Sequence, residues 1–294
     1  ASEGDDAVIR IALPNKGRLS ERARDLLERA GLEFELRAER ALQASLGGDF
    51  QALFVRAEDI PEFVADGAAD IGITGRDLVS ESGREIAELL DLGFGRCRLA
   101  VAVKDESGVR EIGDVAPGTR VATSFPRLTE RFFRDAGREV TVVPVSGAAE
   151  IVPHLGVADI IVDLVSTGST LRVNGLREIA TVLESSALLI ARPDLLADPE
   201  GRRRAEELAA ALESVLRAQD KRYLMANIPR SSLAELKRVL PGLNGPTIVD
   251  VMDSGEIVAA HAVVDRRDVY RVIADLKAIG ATGILLTRIE RLMP

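Results

Sequence analysis

The chain has 294 residues, of which 46% are hydrophobic, 29% charged and 3% aromatic, with no Trp, one Cys and a net charge of −9. That length exceeds what one hydrophobic core usually fills, so two or three domains are expected, and the composition is that of a globular α/β protein. The negative charge repels a nucleic-acid backbone or an anionic membrane, and so few rings make no stacking platform for single strands, so an anionic ligand must be met by a local basic pocket.

Residues 8–13 are predicted as a strand, and after Pro14-Asn-Lys-Gly17 the apolar Leu19, Ala23, Leu26, Leu27 and Ala30 recur at helical spacing up to Gly31. Two apolar runs in 41–55 flank Gly47-Gly48-Asp49, a hairpin signal. A short helix over 58–66 ends at Gly67, before a buried strand at 70–74. Strands are then expected at 98–103, 120–123 and 140–143, with a helix over 128–136 stopped by Gly137.

Gly67-Ala-Ala-Asp-Ile-Gly-Ile73 is echoed by Gly156-Val-Ala-Asp-Ile-Ile-Val162, and each copy runs into a Thr-Gly turn, Thr74-Gly75 or Thr167-Gly168. Two lobes on one strand-turn-helix plan explain the echo, with a ligand in the cleft where the turns face each other; chance likeness of a short motif is the alternative. Residues 198–219 read as one charged helix with Leu208, Leu212, Val215 and Leu216 on its inner face, returning to the first lobe. Beyond it come strand 223–228, helix 231–240, strands 247–252 and 256–264, helix 267–279 and strand 282–289, with turns at Pro241-Gly242 and Ser254-Gly255. That order, βαββαβ, is ferredoxin-like and often serves as an appended sensor. The expected fold class is α/β, with a first lobe from 1–98 and 188–219, a second over 99–187 and a third domain over 220–294.

The acidic Ala1-Ser-Glu-Gly-Asp-Asp6 contains no apolar stretch, and no apolar run approaches the roughly 18 residues of a spanning helix, which predicts a cytoplasmic protein. Cys97 has no partner for an intramolecular disulfide and opens an apolar strand, so a packing role is expected. His154 and His261 lack zinc-ligand spacing and are read as structural. P-loop, dinucleotide and nucleophile-elbow motifs are absent.

The chemistry concentrates at Asp163-Leu-Val-Ser-Thr-Gly-Ser-Thr-Leu171. Residues 159–165 are too apolar for a surface loop and read as a central strand, which delivers Ser166, Thr167, Gly168, Ser169 and Thr170 to the sheet edge where ligands of α/β proteins bind. Hydroxyls, a glycine and a helix start at Leu171 suit a phosphate; a plain helix cap is the alternative. Asp163 favours the phosphate-sugar reading, because a carboxylate in an apolar strand needs a partner such as ribose hydroxyls or magnesium. Glu150 follows Ser146-Gly-Ala-Ala149 at another strand-to-helix junction, as a sugar ligand or a first-turn acid. On the first lobe Asn15, Lys16 and Arg18, then Arg56, then Gly75-Arg-Asp77 fall at the ends of neighbouring strands, where cations can meet a polyphosphate. A solvated basic turn and an Arg76–Asp77 ion pair are the alternatives.

Leu13-Pro-Asn-Lys-Gly17, Gly72-Ile-Thr-Gly-Arg-Asp77, Gly93-Phe-Gly95 and the run from Gly156 to Leu171 closely resemble the ATP phosphoribosyltransferase family, and Tyr223-Leu-Met225 and Gly245-Pro-Thr-Ile248 extend the likeness to its long form. The resemblance implies a two-lobed catalytic unit like periplasmic solute-binding proteins with an ACT-like regulatory domain, magnesium dependence, a cytoplasmic homo-oligomer between dimer and hexamer, and feedback inhibition by histidine. It implies that Asp163 and Ser166 to Leu171 hold phosphoribosyl pyrophosphate. Glu150 and Asp163 would face the ribose, with Asp163 the metal candidate. Lys16, Arg18, Arg56, Gly75, Arg76 and Asp77 would face the pyrophosphate and ATP. Leu243, Thr247, Val263 and Gly283 would lie near histidine. Some relatives carry an acidic residue just before the equivalent of Pro229, where this chain has Asn227-Ile228. A solute-binding receptor and a catalytically inactive regulatory subunit are the rival readings; intact Lys16, Arg56 and Asp77 argue against the second.

Overall fold

The protein is described here from a computed structural model, which covers residues 8–35, 42–47, 49–147, 149–252 and 255–293. The chain forms two compact units, Ala1–Glu28 with Leu32–Ala209 and Arg29–Gly31 with Ala210–Pro294.

In the first unit β1 (Ile9–Pro14) bends at Asn15 and Lys16 into α1 (Gly17–Arg29), whose Ala23, Leu26 and Leu27 are buried as their 3.6-residue spacing requires. The antiparallel β2 (Gln43–Ser45) and β3 (Phe50–Val55) follow, the expected hairpin, whose Ala41 and Gly48 lie outside the described residues. Next come α2 (Ile60–Ala65), β4 (Ile71–Gly75), α3 (Arg76–Ser82) and β5 (Ala87–Asp91). The chain then crosses to a second sheet with β6 (Cys97–Lys104), β7 (Thr119–Thr123), α4 (Pro126–Asp135), β8 (Val140–Pro144), β9 (Ile160–Val165), α5 (Ser169–Val173) and β10 (Leu176–Ser185). It crosses back into β11 (Ala187–Ala191), α6 (Pro193–Ala197) and α7 (Pro199–Gln219), whose residues from Ala210 on belong to the second unit. The strand orders are β2-β3-β1-β4-β11-β5 and β10-β6-β9-β7-β8. Leu92 and Ala187 bond through backbone at 2.9 Å, as do Ala187 and Phe94, so the two crossing segments are paired.

The sequence echo corresponds to a structural repeat. β4 lies between β1 and β11, and β9 between β6 and β7. Asp70 and Asp159 each donate a backbone N–H to the preceding strand at 2.9 Å, to the Arg10 and Arg120 carbonyls, and each carboxylate accepts the N–H of the same arginine. β4 is buried along its whole length, and β9 is buried except at Asp163 and Leu164.

Three strands went unread in the sequence. β10 is an edge strand with register shifts between Glu178 and Ala180 and between Thr181 and Leu183, which break its alternation; the other two are β5 and β11. The helix expected after Glu150 is a 3₁₀ turn, Ala149–Leu155, because Pro153 inside it has no N–H to donate. α7 returns to the first lobe at Arg204, which is 8% exposed and meets the Asp49 carbonyl at 3.0 Å and carboxylate at 3.3 Å.

The second unit holds β12 (Lys221–Pro229), α8 (Leu233–Val239), β13 (Thr247–Asp250), β14 (Ile257–Asp265), α9 (Val269–Ala278) and β15 (Thr282–Arg288). Its antiparallel sheet has the order β13-β14-β12-β15, the ferredoxin-like arrangement expected. Leu224, Ile228, Val258 and Ala260 pack on one face against Leu236 and Leu276 of the helices. Of the expected turn at Ser254-Gly255, Ser254 lies outside the described residues.

Candidate active site

Parallel pairing brings the first lobe's candidate residues to one edge. β1 pairs with β3 up to Pro14 opposite Val55, and with β4, so the Asn15-Lys16 bend, Arg56 and the Gly75-Arg-Asp77 turn all leave the C-terminal ends of adjacent strands. Lys16, Arg18 and Arg56 are exposed and make no ion pair among the described residues. Arg76 turns away from Asp77 and meets Glu88 at 3.2 Å and Asp91 at 3.7 Å, so the considered Arg76–Asp77 pair does not form. Burial works against ionisation of Asp91, but the Gly93 N–H, the Ser186 hydroxyl, Arg76 and Arg96 hold its carboxyl below the usual range. Asp77 is 5% exposed. Its carboxylate folds over Gly75, where a Cβ would lie 2.2 Å from Oδ1, so a larger residue at 75 displaces the carboxylate.

The second lobe presents a matching edge. β7, β8 and β9 are parallel, and the N-terminus of β6 lies beside the C-terminus of β9, with Arg98 opposite Val165. After β9, Ser166, Thr167, Ser169 and Thr170 are exposed around Gly168, while Leu171 is buried and anchors α5. Gly168 has φ 75°, a left-handed conformation that a β-branched residue resists. The Thr167 and Ser169 hydroxyls lie 2.9 Å apart. The first N–H groups of α5 have no intrahelical partner, the usual condition of a helix start.

Asp163 is half-buried, and burial pushes its carboxyl above the usual range; the Leu164 N–H at 2.8 Å opposes that, and nearby Glu150 adds to it. A cavity of about 500 Å³ runs between the two edges, lined by Leu19, Gly75, Asp77, Ser124, Phe125 and Asp163 among others. Among the described residues its wall carries the carboxylates of Glu58, Glu62, Asp77, Glu81 and Asp163 and no Lys or Arg. Lys16, Arg18, Arg56 and Arg76 are not among its lining residues.

Sequence reading missed four participants. Arg98 spans Glu178, at 2.6–3.0 Å, and the Ser166 carbonyl, at 3.4 Å. Ser185, on the last residue of β10, bonds Asp77. Glu81 of α3 accepts the Arg127 and Leu128 N–H groups at 2.9 and 3.0 Å, so a first-lobe carboxylate caps a second-lobe helix. The only advance signal was a charge at the start of an apolar strand at Arg98. Cys97, opposite Ser185, lines the cavity, and burial and then Asp77 push its thiol up. His154 bonds the Asn174 carbonyl at 2.8 Å and His261 the Tyr223 hydroxyl at 2.8 Å, the structural roles expected.

In the second unit Leu243 is exposed, Thr247 pairs with His261 across β13 and β14, and Val263 lies two residues farther along β14. Gly283 is on β15, at the opposite edge of the sheet and roughly 14 Å from β13 at the usual strand spacing. One chain does not bring Thr247 and Gly283 together.

A family model described as ATP phosphoribosyltransferase matches residues 56–214, and one described as HisG, C-terminal domain, matches residues 218–291. The chain is 61% identical to an ATP phosphoribosyltransferase of Gemmatimonas aurantiaca, over 98% of this chain and 100% of that protein. It is 50% identical to one of Natronomonas pharaonis, over 97% and 100%. Among solved structures it is similar to the ATP phosphoribosyl transferase (HisG:HisZ) complex from Thermotoga maritima, at 26% identity and a TM-score of 0.62, covering 70% of this chain and 98% of that one.

Proposed function

This chain belongs to the ATP phosphoribosyltransferase family, and we propose that it joins N1 of the adenine ring of ATP to C1 of phosphoribosyl pyrophosphate and releases pyrophosphate, the first step of histidine biosynthesis. The observation that carries the proposal is a single cavity lined by Asp163 at the root of the Ser/Thr loop and by Asp77 at the opposing edge. On this reading the loop from Ser166 to Leu171 receives the 5-phosphate through hydroxyls and N–H groups, and Asp163 and Glu150 face the ribose. Lys16, Arg18 and Arg56 face the pyrophosphate and the ATP phosphates, with Gly75, Arg76 and Asp77 towards the nucleotide.

The N1 lone pair is already free, so the bond to C1 forms as the bond to pyrophosphate breaks, without a general base. Positioning and charge stabilisation supply the rate. Magnesium fits the site: the cavity wall carries five carboxylates, Asp163 among them, with no basic side chain among its described lining residues to offset them. No group of three or more His, Cys, Asp or Glu among the described residues forms a metal cage, which favours an ion carried in on pyrophosphate and touching Asp163. When bound, it would neutralise the departing pyrophosphate.

The third domain is proposed as a histidine sensor, with Leu243, Thr247 and Val263 at one sheet edge and Gly283 at the other. The protein is taken to act in the cytoplasm as a homo-oligomer. None of its described helices is long and apolar enough to cross a membrane. The test is to mix the protein with ATP, phosphoribosyl pyrophosphate and magnesium, and follow pyrophosphate and the absorbance of N1-substituted adenine. Product in the absence of either substrate, or undiminished by full chelation of magnesium, refutes the reading.

A further inference from the structure

We infer, on the reading of residues 166–171 as the 5-phosphate loop, that Arg98 is a guanidinium that holds this loop and meets the bound phosphate, and that Glu178 positions it. Arg98 lies at the start of β6, level with Val165, the last residue before the loop. Its Nε and Nη2 grip Glu178 side-on, at 2.9 and 2.6 Å, and Nη1 reaches the Ser166 carbonyl at a long 3.4 Å. Nη2 also lies 4.0 Å from where a Cβ on Gly168 would be, and Arg172 Nη1 lies 3.3 Å from it and 3.5 Å from the Thr167 carbonyl, so two guanidiniums border the space above the glycine, of which, among the described residues, Arg98 is the one fixed by a carboxylate.

A guanidinium has five N–H donors, and a side-on pair with one carboxylate leaves the end-on fork, one N–H on each Nη, turned elsewhere. That fork is the shape that chelates two phosphate oxygens. Glu178 fixes the plane of the fork while Ser166 fixes the loop to it. The pair is only partly exposed, at 29% for Arg98 and 25% for Glu178, so its geometry is restrained on both sides. Arg98 in turn holds the Glu178 carboxyl below its usual range. The ligand recognised is a phosphate monoester, as distinct from the pyrophosphate end of the same substrate.

Ribose 5-phosphate and inorganic pyrophosphate probe the two ends separately, each as an inhibitor of the full-length enzyme. Arg98→Lys keeps the charge but cannot grip Glu178 and offer a fork together. It should weaken ribose 5-phosphate about tenfold to a hundredfold, and raise the KM for phosphoribosyl pyrophosphate in step, as expected for a lost charged hydrogen bond. Pyrophosphate inhibition and the KM for ATP should stay within about twofold, and Glu178→Gln should add nothing to Arg98→Lys, because the two act as a unit. Equal losses for both probes, or none, overturn the role of Arg98. Gly168→Val separates the two layers: if it spares ribose 5-phosphate binding, the loop is not the phosphate site at all; if it abolishes binding while Arg98→Lys does not, only the role of Arg98 falls.

Discussion

The Ser185 hydroxyl donates to the Asp77 carboxylate at 2.5 Å and accepts the Asp77 N–H at 3.1 Å, which ties the last residue of β10 to the first turn of α3. Both residues are buried, so Ser185→Ala leaves a buried carboxylate one donor short. The expected cost is about 1.5–3 kcal/mol, read as a lower midpoint of urea unfolding, with Ser185→Thr recovering most of it. An unchanged midpoint for Ser185→Ala means that the bond contributes nothing.

Asp163 gives a prediction whose sign is opposite to that of most carboxylates. A group with a raised folded-state pKa favours folding below its unfolded value, near 4, and that contribution disappears as pH rises through the folded value. At pH 7 an ionised Asp163 therefore opposes folding. Asp163→Asn is expected to raise the melting temperature at pH 7, to leave it unchanged below about pH 4, and to abolish most transferase activity. A lower melting temperature at pH 7 would contradict the burial argument.

Glu81 and Arg127 join the lobes at a second place, since the Arg127 guanidinium also donates to the Ser82 carbonyl at 3.0 Å. Glu81→Ala removes the cap on α4, at about 1 kcal/mol in stability. Because Glu81 joins the lobes and lines the cavity shared by both candidate substrate sites, the KM values for both substrates should rise together. A rise in only one would place Glu81 in a binding site instead.

Histidine inhibition should depend on the third domain. An inhibitor bound outside the catalytic cleft acts only by favouring one arrangement of the enzyme over another, so Thr247→Ala should weaken inhibition while leaving both KM values nearly unchanged. A bulky residue at Gly283 presses on Asn227, whose Nδ2 lies 3.1 Å from the Cβ position, and is expected to weaken inhibition more strongly. Because the two positions are on opposite sheet edges, their effects should add. A histidine titration at several substrate concentrations checks this; purely competitive inhibition, untouched by either change, would move histidine into the catalytic cleft.

The parts of the protein that were legible in advance are those carried by contiguous residues. Residues 163–171 combine the end of a largely apolar strand, a left-handed glycine and a helix start within nine positions, so local rules suffice to read a loop at a sheet edge. The βαββαβ order of the third domain is likewise a succession of local periodicities, and the repeat of Asp70 and Asp159 appeared as matching short motifs. Folding alone brought Arg98 to Glu178 across 80 positions and Asp77 to Ser185 across 108. These contacts arise because the chain crosses twice between sheets, and because an antiparallel edge strand with two register shifts sets which side chains meet. The same cause separates Thr247 from Gly283: strand order across a sheet is a non-local property, settled by which faces and edges the whole chain can bury together.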